Sequence, residues 1–416
     1  MDLFIKETKT TLKMILTGFY WKKKRSLEMI MQIFNHEIDA HGDFEFCSTS
    51  QRKLNYSITI PPQKTEGLVV YIAGFGADAG SYRENFQKHI SSNYPLACLA
   101  VDYHCLFARP QNGATVSIEP NIMKLLRSIT DCMTDETVEE VLLKLSKIKA
   151  NPTKPLTIPG TIYPKKNEYQ NFGILPALDN IYAINDVFKK YPTIPIKIYA
   201  IGSSYGGYIA NLVSKFAPST LNAVFDNSSW ASPNGRYLIG HELGYPEYSQ
   251  VHSPNIILEL NVISPWSHLP FMPNAFCKNK VLIRSFPENH IDIMSDIGKQ
   301  KTIYRFVHAE NDPIANTSQK VAFAEKLKKS GFNVQIKVYS KADIDGVYIK
   351  TADHGMGLSM RKFFSNYYGS TQKDIKKDQM IDIDFEHSIH FKCDAQKYTI
   401  SYNGKSQPVC SISDCH

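Results

Sequence analysis

Six stretches of the chain are apolar almost without interruption: 67–76 (GLVVYIAGFG), 96–103 (LACLAVDY), 196–203 (IKIYAIGS), 222–229 (NAVFDNSS), 302–310 (TIYRFVHAE) and 333–340 (NVQIKVYS). Runs this short, rich in β-branched and aromatic residues, are strands buried on both faces. Over 81–90, 178–191, 205–216 and 318–330 the apolar positions recur at helical spacing instead. Strand followed by helix, repeated, predicts a doubly wound and mostly parallel α/β sheet. Two segments break the rhythm, about 104–177 and 230–300. Both are too long for ordinary connections, are rich in Pro, Tyr and Asn, and follow strands whose C-terminal ends should form a ligand crevice. They read as lid or cap insertions.

The ends of the chain carry other patterns. Leu12, Ile15, Leu16 and Phe19, then Leu27, Ile30, Met31 and Phe34, stand at helical spacing around a KKKR break at 22–25. This predicts a helical extension over 1–42 docked on the body, and its cations beside apolar faces also suit peripheral contact with a membrane surface. The segments DFEFCST (43–49) and LNYSITIPP (54–62) read as an antiparallel hairpin stopped by Pro61 and Pro62. The organisation expected is therefore 1–42 as the extension, 43–369 as the α/β domain with its two insertions, and 370–416 as a small β appendage.

Composition narrows the class. With 416 residues, 43% of them hydrophobic and 21% charged, the chain can bury a large core, and it lacks the run of about 20 apolar residues that would span a bilayer. The net charge of +7 comes from 47 Lys and Arg interspersed with 40 Asp and Glu, without a nucleic-acid motif, which favours solubility over nucleic-acid binding. Eight cysteines are scattered without C-x-x-C pairs, which suits reduced thiols in a cytoplasmic setting. The tail does place His390, Cys393, Cys410, Cys415 and His416 near one another in sequence, but the spacing is loose for a zinc site. Neither a metal nor a cofactor is expected.

Chemistry enters at Gly202-Ser203-Ser204-Tyr205-Gly206, a G-x-S-x-G centred on Ser204 at a strand-to-helix seam. A sharp turn there lifts a serine hydroxyl clear of the sheet, and small neighbours relieve backbone crowding. Ser204 is the expected nucleophile. The helix starting after it aims the Tyr205 amide at a developing oxyanion, and the glycine-rich AGFGADAG loop (73–80) should supply a second donor from Phe75 or Gly76. A serine needs a histidine to accept its proton, and the histidine an acid to fix its tautomer. His354, in TADHGMG beyond the last strand, is the expected base. Asp312, directly after the strand 302–310, is the expected acid, with Asp226, Glu310 and Asp343 as alternatives. Within the insertions and beside them, Tyr163, Tyr169, Asn171, Asn227, Trp230, Asn234, Tyr237 and Trp266 mix aromatic faces with amides that suit a sugar ring. Trp230 and Asn227 are the leading substrate-binding residues.

GSSYGGYIANL, NDPIANTSQKVAFAEKLKKSGFNVQIKVYS and ADHGM resemble the catalytic domain of the prolyl-oligopeptidase-like and esterase branches of the α/β-hydrolases over about 65–368. The resemblance implies Ser204, Asp312 and His354 as nucleophile, acid and base. No propeller-length region precedes the match, which weakens a peptidase reading, and the stretch 340–354 is longer than the family's usual. With NYSITIPP and YIAGFGADAGSYRENF included, the whole chain is also similar to a bacterial family of α/β-hydrolase type, encoded near flagellin-glycosylation genes. The function expected is ester hydrolysis through an acyl-enzyme, with an O-acyl group on a carbohydrate as the substrate class. Acyl transfer to a sugar, peptide hydrolysis and a non-catalytic binding role on the same fold stand as alternatives.

Overall fold

The computed structural model describes residues 32–46, 51–76, 80–133, 135–148, 155–299, 301–375, 380–404 and 406–415. Eight strands make the central sheet: β1 (Ile33–Asp39), β2 (Lys53–Thr59), β3 (Leu68–Ile72), β4 (Ala97–Asp102), then, numbered past the insertion strands, β7 (Ile198–Ser203), β8 (Ala223–Asn227), β11 (Ile303–Ala309) and β12 (Val334–Tyr339). Their order is β1-β2-β4-β3-β7-β8-β11-β12, and β2 alone runs against the others. β3, β4, β8 and β11 are buried along nearly their whole length, as unbroken apolar runs require. Helices α1 (Ser81–Asn93), α4 (Ile174–Lys190), α5 (Tyr205–Phe216), α9 (Thr317–Lys329) and α10 (Met360–Asp374) connect or flank these strands, so the chain forms a mostly parallel, doubly wound sheet.

The sheet grows outward from β3 in one direction through β4 and in the other through β7. The loops that leave β3 and β7 therefore diverge at a topological switch point, where a crevice opens at the carboxyl ends of the strands. The glycine-rich loop and the Ser204 turn are these two loops.

The insertions share one architecture. The first contributes β5 (Thr115–Ser117), α2 (Pro120–Thr130), α3 (Val138–Ser146) and β6 (Leu156–Tyr163), and the second α6 (Arg236–Leu243), β9 (Tyr248–Ser253), β10 (Ile256–Val262), α7 (Lys278–Ile283) and α8 (Glu288–Ile297). β6 pairs in parallel with β10, giving a second sheet in the order β5-β6-β10-β9. Ile158, Ile162, Leu258 and Leu260 pack with Val141 and Leu142 into a separate small core.

Three expectations about the ends need correction. The helical spacing through Phe34 does not continue as helix: residues 33–39 are β1, paired along their length with β2, while the residues up to 31 lie outside those described. The segment from Asp43 is not the other arm of a hairpin. Asp43 Oδ1 accepts from the Glu45 and Phe46 amides at 3.0 and 3.2 Å, turning the backbone there, and β1 takes the place beside β2. Finally, β13 (Glu386–Cys393), β14 (Gln396–Asn403) and β15 (Val409–Asp414) form an antiparallel sheet that is no loose appendage. Phe391, Tyr398 and Tyr402 belong to the main core, and Tyr402 donates to the Phe216 carbonyl at 3.0 Å. Among the described residues no helix is long and apolar enough to cross a membrane, and the seven described cysteines are free thiols.

Candidate active site

Ser204 stands between β7 and α5 with φ 54° and ψ −123°, a conformation that costs a non-glycine residue about 1–3 kcal/mol. The surroundings enforce it. The Ser204 amide donates to the Asn227 carbonyl at 2.7 Å, and its own carbonyl accepts from Tyr208. Two glycines allow the turn: a Cβ on Gly202 would sit 2.3 Å from the Gly206 carbonyl carbon, and one on Gly206 would sit 2.1 Å from the Ile72 oxygen. Both obstacles are backbone, so neither can give way. Gly206→Ala is expected to destabilise the fold by about 1–3 kcal/mol or more, through forced backbone shifts, and to slow modification of Ser204. A thermal melt and a labelling time course check it; an unchanged melt with full labelling contradicts this account of the turn.

His354 Nε2 lies 2.7 Å from Ser204 Oγ, and His354 Nδ1 lies 2.8 and 3.0 Å from the two oxygens of Asp312. A carboxylate only accepts, so Nδ1 carries the proton and Nε2 presents its lone pair to the serine hydroxyl. Burial alone would raise the Asp312 pKa. Hydrogen bonds from His354 and from the Ala315 and Ile314 amides outweigh it, and the carboxyl is held below its ordinary value. Asp312 is thus a fixed anion at neutral pH.

The other carboxylates are occupied elsewhere. Asp226, at 0% exposure, pairs with Lys320 and accepts from Asn211 and Ser229 at 2.6 Å, so this acid is spent on a buried ion pair. Glu310 is exposed, and Asp343 caps a short turn through the Ser340 amide at 2.8 Å.

The loop after β3 meets the serine turn directly. A Cβ on Gly74 would lie 2.9 Å from the Ser203 oxygen and 3.8 Å from Ser204 Cβ. Tyr103 donates to the Ala73 carbonyl at 2.7 Å, Gly76 has φ 72°, and the Phe75 ring packs edge-on to Tyr205 at 5.6 Å. Tyr205 opens α5 with its phenol fully buried, so what it can offer the crevice is its first-turn backbone amide. The part of the loop at 77–79 lies outside the described residues.

The expected substrate-binding residues divide. Trp230 is a wall: its ring lies 6.1 Å from that of His354, and its indole N–H donates to the Ile314 carbonyl at 2.9 Å, tying the acid turn to the histidine side. Asn227, at 1% exposure, faces inward. Its amide donates to the Gly355 carbonyl at 3.2 Å and its oxygen accepts from Ser228, so it holds the histidine loop and no ligand. Asn171 and Trp266 are also internal; the first accepts from the Leu175 amide at 2.9 Å and the second packs at a tilt against Phe46, with ring centroids 4.5 Å apart. Asn234 caps the Arg236 amide, whereas Tyr237 packs with Phe75 and Trp230 beside the serine. Tyr163 stands exposed on β6.

Several supporting residues went unread in the sequence. Ser228, itself at φ 56°, accepts from the Gly355 amide at 3.2 Å, completing a two-sided clamp on the residue after His354. His308 donates from Nε2 to the Ala315 carbonyl at 2.8 Å and so braces the turn that carries Asp312; a histidine inside an apolar strand was its signal. Arg109, from the first insertion, pairs with Glu247 of the second at 2.7 Å and lies 4.3 Å above the Phe75 ring. Nothing local announces that link, which joins residues 138 apart.

Strand order, serine turn and the Ser–His–Asp chain at the strand ends define the class of protein: this is an α/β-hydrolase fold. The particular family follows from sequence. Residues 34–407 match the family model DUF2920, described as a protein of unknown function, and the chain belongs to that family. No curated protein matches it. Among solved structures, it is similar to an acylaminoacyl peptidase of Pyrococcus horikoshii, with 11% identity, a TM-score of 0.44, and coverage of 86% of this chain and 43% of that one. It is also similar to brefeldin A esterase, a bacterial homologue of human hormone sensitive lipase, at 12% identity and TM-score 0.41, covering 83% and 75%. A third likeness is to a fungal esterase from Rhizomucor miehei, at 10% identity and TM-score 0.41, covering 85% and 86%. The chain spans less than half the length of the acylaminoacyl peptidases it matches.

Proposed function

We propose that this protein is a serine hydrolase that cleaves an ester through an acyl-enzyme, with a small acyl group on a polar, sugar-like alcohol as its substrate class. The observation that carries the reading is the continuous hydrogen-bonded chain from Ser204 Oγ through His354 to Asp312, 2.7 and 2.8 Å per link. As Ser204 Oγ bonds to the ester carbonyl carbon, its proton passes to His354 Nε2 and the carbonyl oxygen becomes an oxyanion. The Tyr205 amide and an amide of Phe75 or Gly76 are the donors assigned to that oxyanion. His354 then returns the proton to the departing alkoxide, leaving the acyl group on Ser204. Water, deprotonated by the same imidazole, attacks the acyl-enzyme and releases the acid.

The acyl side is argued from the rings beside the serine. Phe172, Trp230 and Tyr237 contact one another and Tyr237 also meets Phe75, at centroid separations of 5.5–5.7 Å, a closely packed wall that favours a short acyl chain over a long one. The alcohol side is proposed from composition, the two insertions being rich in Tyr and Asn, with Tyr237 the one of those residues that packs beside Phe75 and Trp230. Acetylated monosaccharides, long-chain acyl esters and proline-containing peptide amides, compared at equal concentration, test the assignment. The highest kcat/KM is expected on the acetylated sugars; a higher value on either of the other two overturns the substrate class while leaving the serine chemistry standing.

A further inference from the structure

β8 lies between β7, which ends at the serine turn, and β11, which leads to the acid turn. Its last residue, Asn227, is followed by Ser228, and this dipeptide touches the segments that carry Ser204, Asp312 and His354. The Asn227 carbonyl accepts from the Ser204 amide at 2.7 Å, and the Ser228 amide donates to the Val307 carbonyl of β11 at 2.9 Å, upstream of Asp312. The side chains take the histidine loop: Asn227 Nδ2 donates to the Gly355 carbonyl and Ser228 Oγ accepts from the Gly355 amide, both at 3.2 Å. Both side chains are buried, so they act on the neighbouring loop and not on a substrate.

The directions of these bonds are determined. Ser228 has one hydroxyl proton and gives it to Asn227 Oδ1 at 3.0 Å, which leaves its lone pairs for the Gly355 amide. The Asn227 oxygen is thereby committed to Ser228, and its NH2 faces Gly355. A reversed amide would set oxygen against the Gly355 carbonyl, where neither group could donate.

The loop that the pair holds is a strained one. Gly355, Met356 and Gly357 follow the histidine with φ of 74°, 55° and 57°, three left-handed residues in succession, whereas L-residues enter this region singly. Backbone bonds from Met356 to Asp353 and from Leu358 to Gly355, at 2.9 and 3.0 Å, close the turn on itself. The link from Gly355 to the sheet runs through Asn227 and Ser228. Ser228 is itself left-handed at φ 56°, where a glycine would sit without strain. The backbone bonds of the dipeptide to Ser204 and Val307 need no side chain, so the strand end alone does not account for Asn and Ser at these positions. Their side-chain bonds do: each goes to Gly355 or to the other member of the pair.

We infer that Asn227 and Ser228 are positioning residues for the proton transfer, fixing the backbone after His354 and the backbone of Ser204 from one dipeptide so that the imidazole stays 2.7 Å from the serine hydroxyl. The inference deepens the serine-hydrolase reading and rests on it. Loosening the pair slows the step in which Ser204 Oγ loses its proton and leaves substrate binding as it was. A displacement of about 1 Å at a reacting group costs about 10² in rate.

Two substitutions at 228, made in the full chain, separate this role from a structural one. Ser228→Ala and Ser228→Gly both delete the hydroxyl, but alanine keeps the left-handed strain and glycine relieves it, so Ser228→Gly should melt at the higher temperature of the two. Both are expected to react with a fluorophosphonate about 10–100-fold more slowly than wild type, and to lower kcat on p-nitrophenyl acetate by a similar factor with KM within about twofold. Asn227→Ala, which frees the Gly355 carbonyl, should show the same split between kcat and KM. Mass spectrometry at the end of the labelling reaction should find every molecule modified, only later. A rate loss in Ser228→Ala that Ser228→Gly recovers would assign Ser228 to stability alone. Undiminished labelling in Ser228→Gly or Asn227→Ala, a raised KM at unchanged kcat, or incomplete end-point labelling in proportion to the lost rate would each also overturn the inference, with the hydrolase reading left standing. A wild type that never labels at Ser204 would remove that reading and this inference with it.

Discussion

Replacing Ser204 with Ala will abolish covalent labelling by a fluorophosphonate and lower turnover of the proposed ester substrate by on the order of 10⁶. The magnitude follows from the role: without the hydroxyl no acyl-enzyme forms, and only the preorganised amides remain, which leave roughly 10³–10⁴ over the uncatalysed rate. The fold should survive. Serine and alanine differ by one atom, the backbone at 204 keeps its bonds to Asn227 and Tyr208, and the lost side-chain bond is the one to His354. The neighbouring serine is the control. Ser203 ends β7, one residue before the strained position, and Ser203→Ala should label at close to the wild-type rate. Mass spectrometry of the labelled peptide decides the case: a phosphonate on Ser203, or undiminished turnover in Ser204→Ala, removes the proposed mechanism.

Asp312→Asn should cost about 10⁴ in turnover with little loss of stability. The geometry explains the separation. Asp312 Oδ1 accepts from the Ile314 and Ala315 amides at 2.9 Å each, and an asparagine oxygen can keep both bonds. Its NH2 is then turned toward His354 Nδ1, which becomes the acceptor. The imidazole proton moves to Nε2 and faces Ser204 Oγ, where a lone pair is needed. Nitrogen-15 shifts of the His354 ring, read beside the rate, report that tautomer. Asp226→Asn should behave in the opposite way. It leaves the buried Lys320 ammonium without its counter-charge, a change that costs about 3–5 kcal/mol, while His354 keeps its acid. A large rate loss in Asp226→Asn at unchanged stability, with Asp312→Asn fully active, would transfer the acid role to the earlier strand.

What the sequence determined by itself was whatever depends on local spacing. Unbroken apolar runs marked the six parallel strands, because residues buried on both faces have no polar side to show. The serine turn was legible because two glycines four apart are what a backbone crowded against Ile72 and its own helix demands. The order serine, acid, histidine was legible for the same reason: each follows a strand, and parallel strands bring their carboxyl ends to one edge.

Tertiary structure alone decided the matters of partnership. Periodicity reports that a residue is buried and not what it meets, so the residues from 33 to 39 could not be seen to prefer β2 over helix. The two insertions could not be seen to join in one sheet, because the β6–β10 register matches residues 100 apart. Asp226 and Asp312 have the same chemistry and both stand at the end of a strand. One meets the ammonium of Lys320 and the other the imidazole of His354, and only the way the sheet stacks its helices and loops separates a buried ion pair from a carboxylate that orients a histidine. Asn227 read as a ligand group and proved to be a clamp for a similar reason: an amide suits a sugar hydroxyl or a backbone carbonyl equally well, and the folding of the histidine loop over β8 is what placed the Gly355 carbonyl within its reach.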